Sequence, residues 1–590
     1  MSEIHYTDEK NVQILLALLK AYGIRLAVVS PGTTNITFVA SMQYDSWFKL
    51  YSAADERSAA YIACGLAAET GEPVILSCTG ATASRNYLPG LTEAYYRKLP
   101  VLAVTSSQPV AGVGHLIPQV IDRSSVPNDA VTKSILLPLV NTDNDIWNCE
   151  IKCNEALLVL KRHGGGPVHI NLETSYSRNF SVVELPAVRK IDRITCSDDF
   201  PELPEGRIAV FVGVHKKWRD SDIEAVDAFC QSNNAVVFCD HTSGYKGKYR
   251  VLNSVVFGQM YYHSEAADID ILIHIGEISG DYYTAELNPK QVWRISPDGE
   301  IRDTFRQLRY VFEMPEAEFF RHYMKNDRTG DDSYLTLCRS EHQMVHDNIP
   351  ELPFSNIWIA GQISSRLPDN SVLHLGILNT LRSWNLFEIP LSVSSSCNVG
   401  GFGIDGDISS LIGASLADRS RICFGVFGDL AFFYDMNVLG NRHVGNNVRI
   451  LLINNGRGTE FRNYCHMGSM FGEDADAFIA AAGHYGNQSP ALVRHYAEDL
   501  GFEYLSASSK EEFKAVSPMF LRPGLTDKPI FLEVFTSSAE ESDALQKVLS
   551  CVVPDEVRKK MQISSVAHKI LGRHYDTVHS VYNRLKPGRK

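Results

Sequence analysis

The sequence predicts an α/β protein with three doubly wound parallel-sheet domains, followed by a basic helical tail. Short apolar runs occur in three groups and are separated by helical segments, as is typical of parallel strands that are buried on both faces. The runs lie at 24–29, 73–78 and 100–105, then at 207–213, 235–240, 270–276 and 291–296, and finally at 372–376, 422–429, 448–455 and 529–535. In addition, a chain of 590 residues is too long for a single hydrophobic core.

Changes in composition between these groups give the expected domain boundaries. The first domain is predicted over 1–185 and ends where an acidic, proline-containing segment typical of a linker begins. The second is predicted over 206–327 and the third over 353–553, before a basic tail at 554–590. Because the second group has no G-x-G-x-x-G turn, we expect a structural domain or a partial lid rather than a dinucleotide site.

Overall composition excludes several classes of protein. The formal net charge of −13 argues against a general nucleic-acid binder. The N-terminal residues show no signal-peptide pattern and no apolar run reaches the length of a membrane span, so we expect a cytoplasmic protein. Cys149 and Cys153 form the only close cysteine pair, and this spacing does not predict a zinc site.

Two polar residues stand at the ends of neighbouring apolar runs in the third domain. Asp429 precedes a helix predicted over 431–439, and Asn455 precedes a turn in which a backbone carbonyl could also bind a cation. Mg²⁺ takes oxygen ligands and usually keeps a phosphate in its shell, and N–H groups at a helix start favour phosphate. The pair therefore predicts a metal-anchored diphosphate. An N-cap aspartate and an Asn-Gly turn are the alternative interpretation.

Glu56 stands near the start of a helix predicted over 57–69. A single glutamate in a first helical turn is usually only a favourable partner of the helix dipole, and taken alone Glu56 predicts nothing more. Combined with Asp429 and Asn455, however, it resembles the pattern of thiamine diphosphate-dependent enzymes.

Several motifs bring this resemblance closest to the 2-succinyl-5-enolpyruvyl-6-hydroxy-3-cyclohexene-1-carboxylate synthases of menaquinone biosynthesis. They cover the first and third domains well, and the middle domain and the tail hardly at all. The motifs are Ser30-Pro31-Gly32, DERSAAYIACGLAAETGEPV from Asp55, Asn86-Tyr87-Leu88-Pro89, Gln119-Val120-Ile121-Asp122, Gly403-Ile404-Asp405-Gly406 and GDLAFFYDMN from Gly428.

The resemblance implies a role for each matching residue. Glu56 would hydrogen-bond the pyrimidine ring of thiamine diphosphate, and Gln119 would contact the reacting group. Asp429, Asn455 and the Arg457 carbonyl would hold Mg²⁺ on the diphosphate. Further cofactor contacts are expected from Thr79, Asn86, Gly403, Ile404, Gly428 and Leu430, with Ile404 as the apolar prop under the cofactor. A homodimer or homotetramer with the active site at the subunit interface is also implied.

The chain departs from this family at cationic positions. Thr33-Thr34 stands where the family has Ser-Arg, Ser107-Gln108 where it has Asp-Arg, Val399 where it has Arg, and Trp384 where it has Arg. Each lost charge-assisted contact weakens the binding of a carboxylate, so isochorismate is not the expected acceptor. The candidate substrate contacts are Thr33, Thr34, Arg382, Trp384, Glu460 and Phe461. Asn398-Val399 and Trp384 suggest a less charged pocket, for an aldehyde or sugar-like acceptor.

The resemblance and these departures together predict a thiamine diphosphate- and Mg²⁺-dependent enzyme. It would decarboxylate a 2-oxo acid and transfer the acyl carbanion to a carbonyl or alkene acceptor. A simple 2-oxo acid decarboxylase and a non-catalytic cofactor-binding relative remain the alternatives.

Overall fold

The computed structural model describes residues 5–325, 331–464, 466–483 and 489–554. The predicted tail therefore lies outside the described residues, apart from its first residue.

The strands, in chain order, are β1 (Leu26–Val29), β2 (Lys49–Ser52), β3 (Val74–Thr79), β4 (Val101–Ser107), β5 (Lys133–Leu137), β6 (Val168–Glu173), β7 (Asp192–Thr195), β8 (Ile208–Val212), β9 (Val236–Cys239), β10 (Arg250–Val251), β11 (Asp268–Ile275), β12 (Asn288–Ser296), β13 (Leu308–Glu313), β14 (Val372–Leu375), β15 (Ser394–Cys397), β16 (Cys423–Gly428), β17 (Val448–Asn454), β18 (Glu503–Ala507) and β19 (Ile530–Phe535).

The helices are α1 (Lys10–Ala21), α2 (Ile36–Gln43), α3 (Glu56–Thr70), α4 (Thr82–Asn86), α5 (Leu88–Tyr96), α6 (Asp143–Val159), α7 (Asp220–Asn233), α8 (Ser254–Phe257), α9 (Glu316–His322), α10 (Ser333–Asp347), α11 (Asn356–Ile363), α12 (Asn379–Trp384), α13 (Asp407–Ala417), α14 (Asp429–Asp435), α15 (Ala475–Phe478), α16 (Leu492–Asp499), α17 (Lys510–Phe520) and α18 (Ser538–Leu549).

The first compact unit comprises the described residues up to 200 and residues 296–314. Its main sheet has six parallel strands in the order β2-β1-β3-β4-β6-β5. Helices α1 and α6 contribute to the apolar core on one face of this sheet, and α3 and α5 to the core on the other. Strands β7 and β13 of the same unit pair with each other in parallel.

The second compact unit comprises residues 201–295 and the described residues from 315 onward. It contains five parallel strands in the order β10-β9-β8-β11-β12. It also contains a six-stranded parallel sheet in the order β15-β14-β16-β17-β19-β18. The chain order of the strands reverses between β14 and β16, and in the first unit it reverses between β1 and β3. Ligands of such sheets bind at these reversal points, beyond the carboxyl ends of the strands.

The predicted fold class is confirmed, since every predicted apolar run overlaps an observed strand of a parallel sheet. Two local predictions need correction. The presumed linker after residue 185 contains the strand β7, whose pairing with β13 was not visible in its polar sequence. The helix predicted over 431–439 starts earlier, at Asp429, and gives way to a short 3-10 turn at Met436.

Among the described residues, no helix combines the length and the hydropathy that a bilayer-spanning segment needs.

Candidate cofactor and substrate site

Glu56 is the first residue of α3, directly after its N-cap residue Asp55. The Asp55 carboxylate accepts the Ser58 backbone N–H at 3.0 Å, which fixes the start of the helix. Asn86 Nδ2 donates to Asp55 Oδ1 at 2.9 Å and to Glu56 Oε2 at 3.0 Å. Glu56 stays partly accessible, and one amide group holds it in place. Thus two of the predicted residues, Glu56 and Asn86, are in direct contact.

Thr79 ends β3, at the carboxyl edge of the same sheet. Gly32, which follows β1, packs so closely on it that a Cβ atom there would lie 2.0 Å from Thr79 Cγ2. The absence of a side chain at Gly32 therefore brings the ends of β1 and β3 together at the reversal point of the sheet.

Gln119 lies on the loop that follows β4 and is exposed. Its φ of +66° and that of Leu116, +59°, lie in the left-handed region that side chains other than glycine rarely adopt. Such conformations are concentrated at functional sites, where the surrounding structure holds them. The structure therefore places Gln119 on an exposed loop in a left-handed backbone conformation.

Asp429 follows β16 at the start of α14, beside the reversal point of the second unit's six-stranded sheet. Its residue surface is only 4% exposed. The carboxylate accepts the backbone N–H groups of Leu430 at 2.8 Å, Asn455 at 3.2 Å and Gly456 at 2.5 Å. Burial raises the pKa of Asp429 to about 6, although these bonds oppose the shift. The structure therefore brings Asp429 to the turn that begins at Asn455.

The oxygen atoms around this turn fit a hard cation. The Asp429 carboxylate faces the backbone N–H groups of Leu430, Asn455, Gly456 and Arg457. Oδ1 of Asn455 is buried and has no hydrogen-bond partner among the described residues. Within the described ranges, no three His, Cys, Asp or Glu side chains form a metal cluster. A cation here would consequently take amide and carbonyl oxygens beside Asp429, as Mg²⁺ does.

Arg457 points its side chain away from such a role. Its Nη1 donates to Asp476 at 2.7 Å, so only its backbone carbonyl would be available to a cation. The neighbouring Gly458 N–H donates to the Ala480 carbonyl at 2.6 Å, which ties the turn to the segment after α15.

Gly403 and Ile404 lie on the loop between β15 and α13 and are half-buried. Phe402, directly before them, has a φ of +56°. Ile404 is thus accessible to a ligand, as an apolar prop has to be. Gly428 and Leu430, on either side of Asp429, are also half-buried.

Asp407 follows this loop and is fully buried. Its Oδ2 accepts the Ile377 N–H at 3.4 Å, and its Oδ1 has no partner among the described residues. Burial, with smaller contributions from Asp435 and Asp405, raises the pKa of Asp407 to about 7. Between pH 4 and 7 the folded state therefore binds a proton that the unfolded chain has lost, so stability falls as the pH rises through this window.

Replacing Asp407 by asparagine is expected to stabilise the protein at pH 8 by about 2 kcal/mol and to have no such effect at pH 4. Asparagine keeps an acceptor for the Ile377 N–H and removes the buried charge. Urea unfolding at both pH values measures the effect, with the exposed Asp499→Asn as the control. If the urea midpoints of Asp407→Asn and the unaltered protein were equal at pH 8, the buried carboxylate would not destabilise the folded state.

Arg382 and Glu460 are brought together by α12 and the turn after β17. The guanidinium donates from Nη2 to Glu460 Oε1 at 2.8 Å and from Nη1 to Oε2 at 3.0 Å. It also lies 4.3 Å from the centre of the Tyr282 ring. These groups line a cavity of about 500 Å³ whose other wall is largely apolar, with Phe257, Met260, Leu545 and Leu549. Phe461 is half-buried next to Glu460.

The remaining predicted substrate residues differ in accessibility. Thr33 is exposed, whereas Thr34 is buried and donates its hydroxyl to the Ser106 carbonyl at 2.5 Å. Trp384 has 0% exposed surface and belongs to the protein interior. In α12, then, the position that faces the cavity is Arg382.

Sequence reasoning missed Arg123, which is only 5% exposed and lines a second cavity, in the first unit. A charged residue in a polar loop normally indicates exposure, and no pattern in the sequence marks it as buried.

The comparisons with known proteins agree with this geometry. Residues 10–126 match the family model described as "Thiamine pyrophosphate enzyme, N-terminal TPP binding domain". The chain is 31% identical over 561 residues to the 2-succinyl-5-enolpyruvyl-6-hydroxy-3-cyclohexene-1-carboxylate synthase of Bacteroides fragilis, an alignment that covers 92% of this chain and 98% of that protein. The chain belongs to the thiamine diphosphate-dependent enzymes. The predicted resemblance is thereby confirmed.

Two more synthases of the same name are similar to this thiamine diphosphate-dependent enzyme along most of its length. The protein of Phocaeicola vulgatus is 31% identical over 559 residues, covering 92% of this chain and 98% of the relative. That of Flavobacterium psychrophilum is 27% identical over 563 residues, covering 89% and 95%. The similarity therefore includes the central α/β segment, where the sequence motifs were sparse.

Proposed function

We propose that this enzyme decarboxylates a 2-oxo acid and transfers the resulting acyl carbanion to an acceptor, with Mg²⁺ as the metal. The observation that carries the proposal is the buried Asp429 carboxylate beside Oδ1 of Asn455, a buried oxygen with no hydrogen-bond partner among the described residues. Both atoms lie at the carboxyl ends of β16 and β17, where a parallel sheet of this topology binds ligands. The relatives named above, which are synthases, support a transfer reaction.

The residues of this chain would hold and orient the cofactor. Asp429, Asn455 and the Arg457 carbonyl would bind the metal of the diphosphate, and Ile404 would support the cofactor from below. Glu56, positioned by Asn86, would hold a proton at the pyrimidine nitrogen. Gln119 would contact the reacting substrate. When bound, thiamine diphosphate supplies the electron sink for the carbanion chemistry.

The acceptor is proposed to differ from the isochorismate of menaquinone biosynthesis. Arg382 is the cationic side chain that α12 contributes to the cavity of about 500 Å³. Its charge is neutralised, because Nη1 and Nη2 both donate to the carboxylate of Glu460. An acceptor with several carboxylates would have to displace Glu460, and displacing a buried partner costs several kcal/mol. An aldehyde, ketone or activated alkene with less charge fits the aromatic and apolar walls better.

A cytoplasmic homodimer or homotetramer completes the proposal. The first domain of one subunit and the third domain of its partner would close each active site, as the family resemblance implies.

The direct test is CO₂ release by the cofactor-loaded enzyme from a panel of 2-oxo acids, with and without aldehyde acceptors, together with identification of the products. New carbon–carbon bonds support carboligation. CO₂ together with an aldehyde as the only product would instead identify a simple decarboxylase. If the enzyme binds the cofactor but releases no CO₂ from any donor, the protein would be identified as a non-catalytic, cofactor-binding relative.

Replacing Glu460 by glutamine is expected to shift the acceptor preference toward carboxylates, because Arg382 would then face the cavity unneutralised. The ratio of kcat/KM for glyoxylate over glycolaldehyde as acceptors should rise by roughly tenfold. The exposed Glu473→Gln serves as the control, and thermal unfolding checks that the variant is folded. An unchanged ratio in a folded Glu460→Gln enzyme would place the acceptor elsewhere.

A further inference from the structure

Arg123 is a buried cation without a buried anion. Its Nη1 donates to Thr105 Oγ1 at 3.1 Å, and its Nη2 donates to Ser107 Oγ at 2.7 Å and to Asn171 Oδ1. All three acceptors are neutral, and no described carboxylate forms an ion pair with Arg123. Burial lowers its pKa to about 10, so the guanidinium still carries its charge at neutral pH.

The nearby carboxylates are engaged elsewhere. Asp122 accepts the Ser124 N–H at 2.8 Å, and Glu173 accepts the Val110 N–H at 2.7 Å. A second cation, Arg85, adds to the positive charge and donates to the Asp122 backbone carbonyl at 2.8 Å. Arg123 therefore has a second cation near it and, among the described residues, no carboxylate in direct contact.

The three other arginines that are buried among the described residues, Arg294, Arg382 and Arg449, differ from Arg123. Arg294 Nη2 lies 3.7 Å from Glu277 Oε1. Arg449 donates to three backbone carbonyls, those of Phe520, Arg522 and Gly524, each at 2.7 Å. This is a structural arrangement, in which the guanidinium satisfies the carbonyls at the end of α17. Arg382 has the carboxylate of Glu460. Arg123 has neither, and its three bonds use only three of its five N–H groups.

The guanidinium also lines a cavity of about 370 Å³. Gln108 and Asp122 lie in its wall, and Val110, Val113, Val120 and Ile121 give it an apolar part. The cavity lies beside the end of β4, at Ser107, and is also lined by residues of β5 and β6. A Cβ atom on Gly80 would lie 2.3 Å from Arg123 Nη1, so the glycine makes room for the guanidinium.

We propose that Arg123 is a specificity-determining residue that binds a substrate carboxylate in the cavity beside β4, β5 and β6. The carboxylate is one that the substrate keeps, because a guanidinium that anchored the departing carboxylate would stabilise the reactant and oppose loss of CO₂. It is either the second carboxylate of a dicarboxylic 2-oxo acid donor or a carboxylate on the acceptor. The inference that Arg123 binds a carboxylate is independent of the proposed function; only the statement that this carboxylate belongs to a substrate rests on it.

The neutral side chain of Ser107 leaves the positive charge of Arg123 uncompensated. Where the resembling family has Asp-Arg, this chain has Ser107-Gln108, and Ser107 Oγ is one of the groups that Arg123 contacts. An aspartate at 107 would neutralise Arg123. The neutral pair at 107 and 108 thus fits a cavity in which the cation comes from Arg123.

Binding of butyrate to the cofactor-loaded enzyme, measured by calorimetry, tests the site without turnover. Butyrate has one carboxylate on an apolar chain, and butyramide is its uncharged match. Butyrate is expected to bind, and Arg123→Gln to weaken its affinity roughly 10- to 100-fold without changing the affinity for thiamine diphosphate. Arg123→Lys keeps the charge but loses the planar fork, so it should retain part of the affinity. The exposed Arg494→Gln is the control.

An unchanged butyrate affinity in Arg123→Gln, or butyramide that binds as well as butyrate, would overturn the assignment. If Arg123→Gln does not fold, the same comparison is made with Arg123→Lys. In kinetic assays, a larger rise in KM for 2-oxoglutarate than for 2-oxobutyrate would identify the donor as the source of the carboxylate. A larger rise for glyoxylate than for glycolaldehyde would identify the acceptor. Absence of CO₂ from every donor would remove the proposed function, while the butyrate titration would still decide the role of Arg123.

Discussion

Replacing Glu56 by glutamine is expected to slow CO₂ release by roughly 100- to 10,000-fold, the range that general acid–base groups contribute. Glutamine matches glutamate in size and can still accept the hydrogen bond from Asn86, so the start of α3 should be unchanged. What it lacks is a carboxyl group that can hold a proton at the pyrimidine nitrogen. Exchange of the cofactor's C2 proton for deuterium, followed by NMR after acid quench, should slow together with CO₂ release.

Glu69→Gln is the matched control, because Glu69 belongs to the same helix and is exposed. It should leave both rates and the affinity for thiamine diphosphate unchanged. If Glu56→Gln retained the full exchange rate, the assignment of Glu56 would be wrong, whatever the substrate.

Two inactive variants are expected to restore activity when their subunits are mixed. Glu56→Gln damages the first domain and Asp429→Asn damages the third. If each site takes these domains from different subunits, a site is intact whenever it joins an undamaged first domain to an undamaged third domain. With random pairing of equal amounts, about a quarter of the sites meet this condition, so CO₂ release should recover to about a quarter of the normal rate.

Co-expression with two different affinity tags provides the mixed oligomers and shows that pairing has occurred. Glu56→Gln mixed with Glu56→Ala is the control, and it should stay inactive because both variants are damaged in the same domain. Mixed oligomers of Glu56→Gln and Asp429→Asn without activity would indicate a site built within one subunit.

The sequence was sufficient to predict most of the central strands and insufficient for the edges. β16 and β17 are apolar and buried along almost their whole length, so they stand out as continuous runs. The edge strands β15, with the sequence SSSC, and β18, EYLSA, are partly exposed and carry no such signal. β6 was missed for another reason: it is wholly buried but contains His169, Asn171 and Glu173, whose polar groups are satisfied inside the protein.

The candidate site was predictable where a motif determines the position of a side chain. Glu56 and Asp429 each start a helix that follows a strand, and the structure places them there. Local motifs could not predict contacts made by tertiary packing. The ion pair between Arg382 and Glu460 joins α12 to the turn after β17, and the burial of Trp384 depends on how α12 packs. Arg123 is buried because Thr105, Ser107 and Asn171 converge on it from β4 and β6.

The side-chain oxygen of Asn455, to which no described residue donates a hydrogen bond, has a consequence for the lifetime of the protein. A buried acceptor without a donor makes the vitamin-free chain less stable than its fold would otherwise allow. Uptake of magnesium and the vitamin would remove that penalty and stabilise the folded form by mass action. In a starved cell, the empty enzyme would therefore be degraded by proteases sooner than the loaded one, and its abundance would follow the supply of vitamin B1.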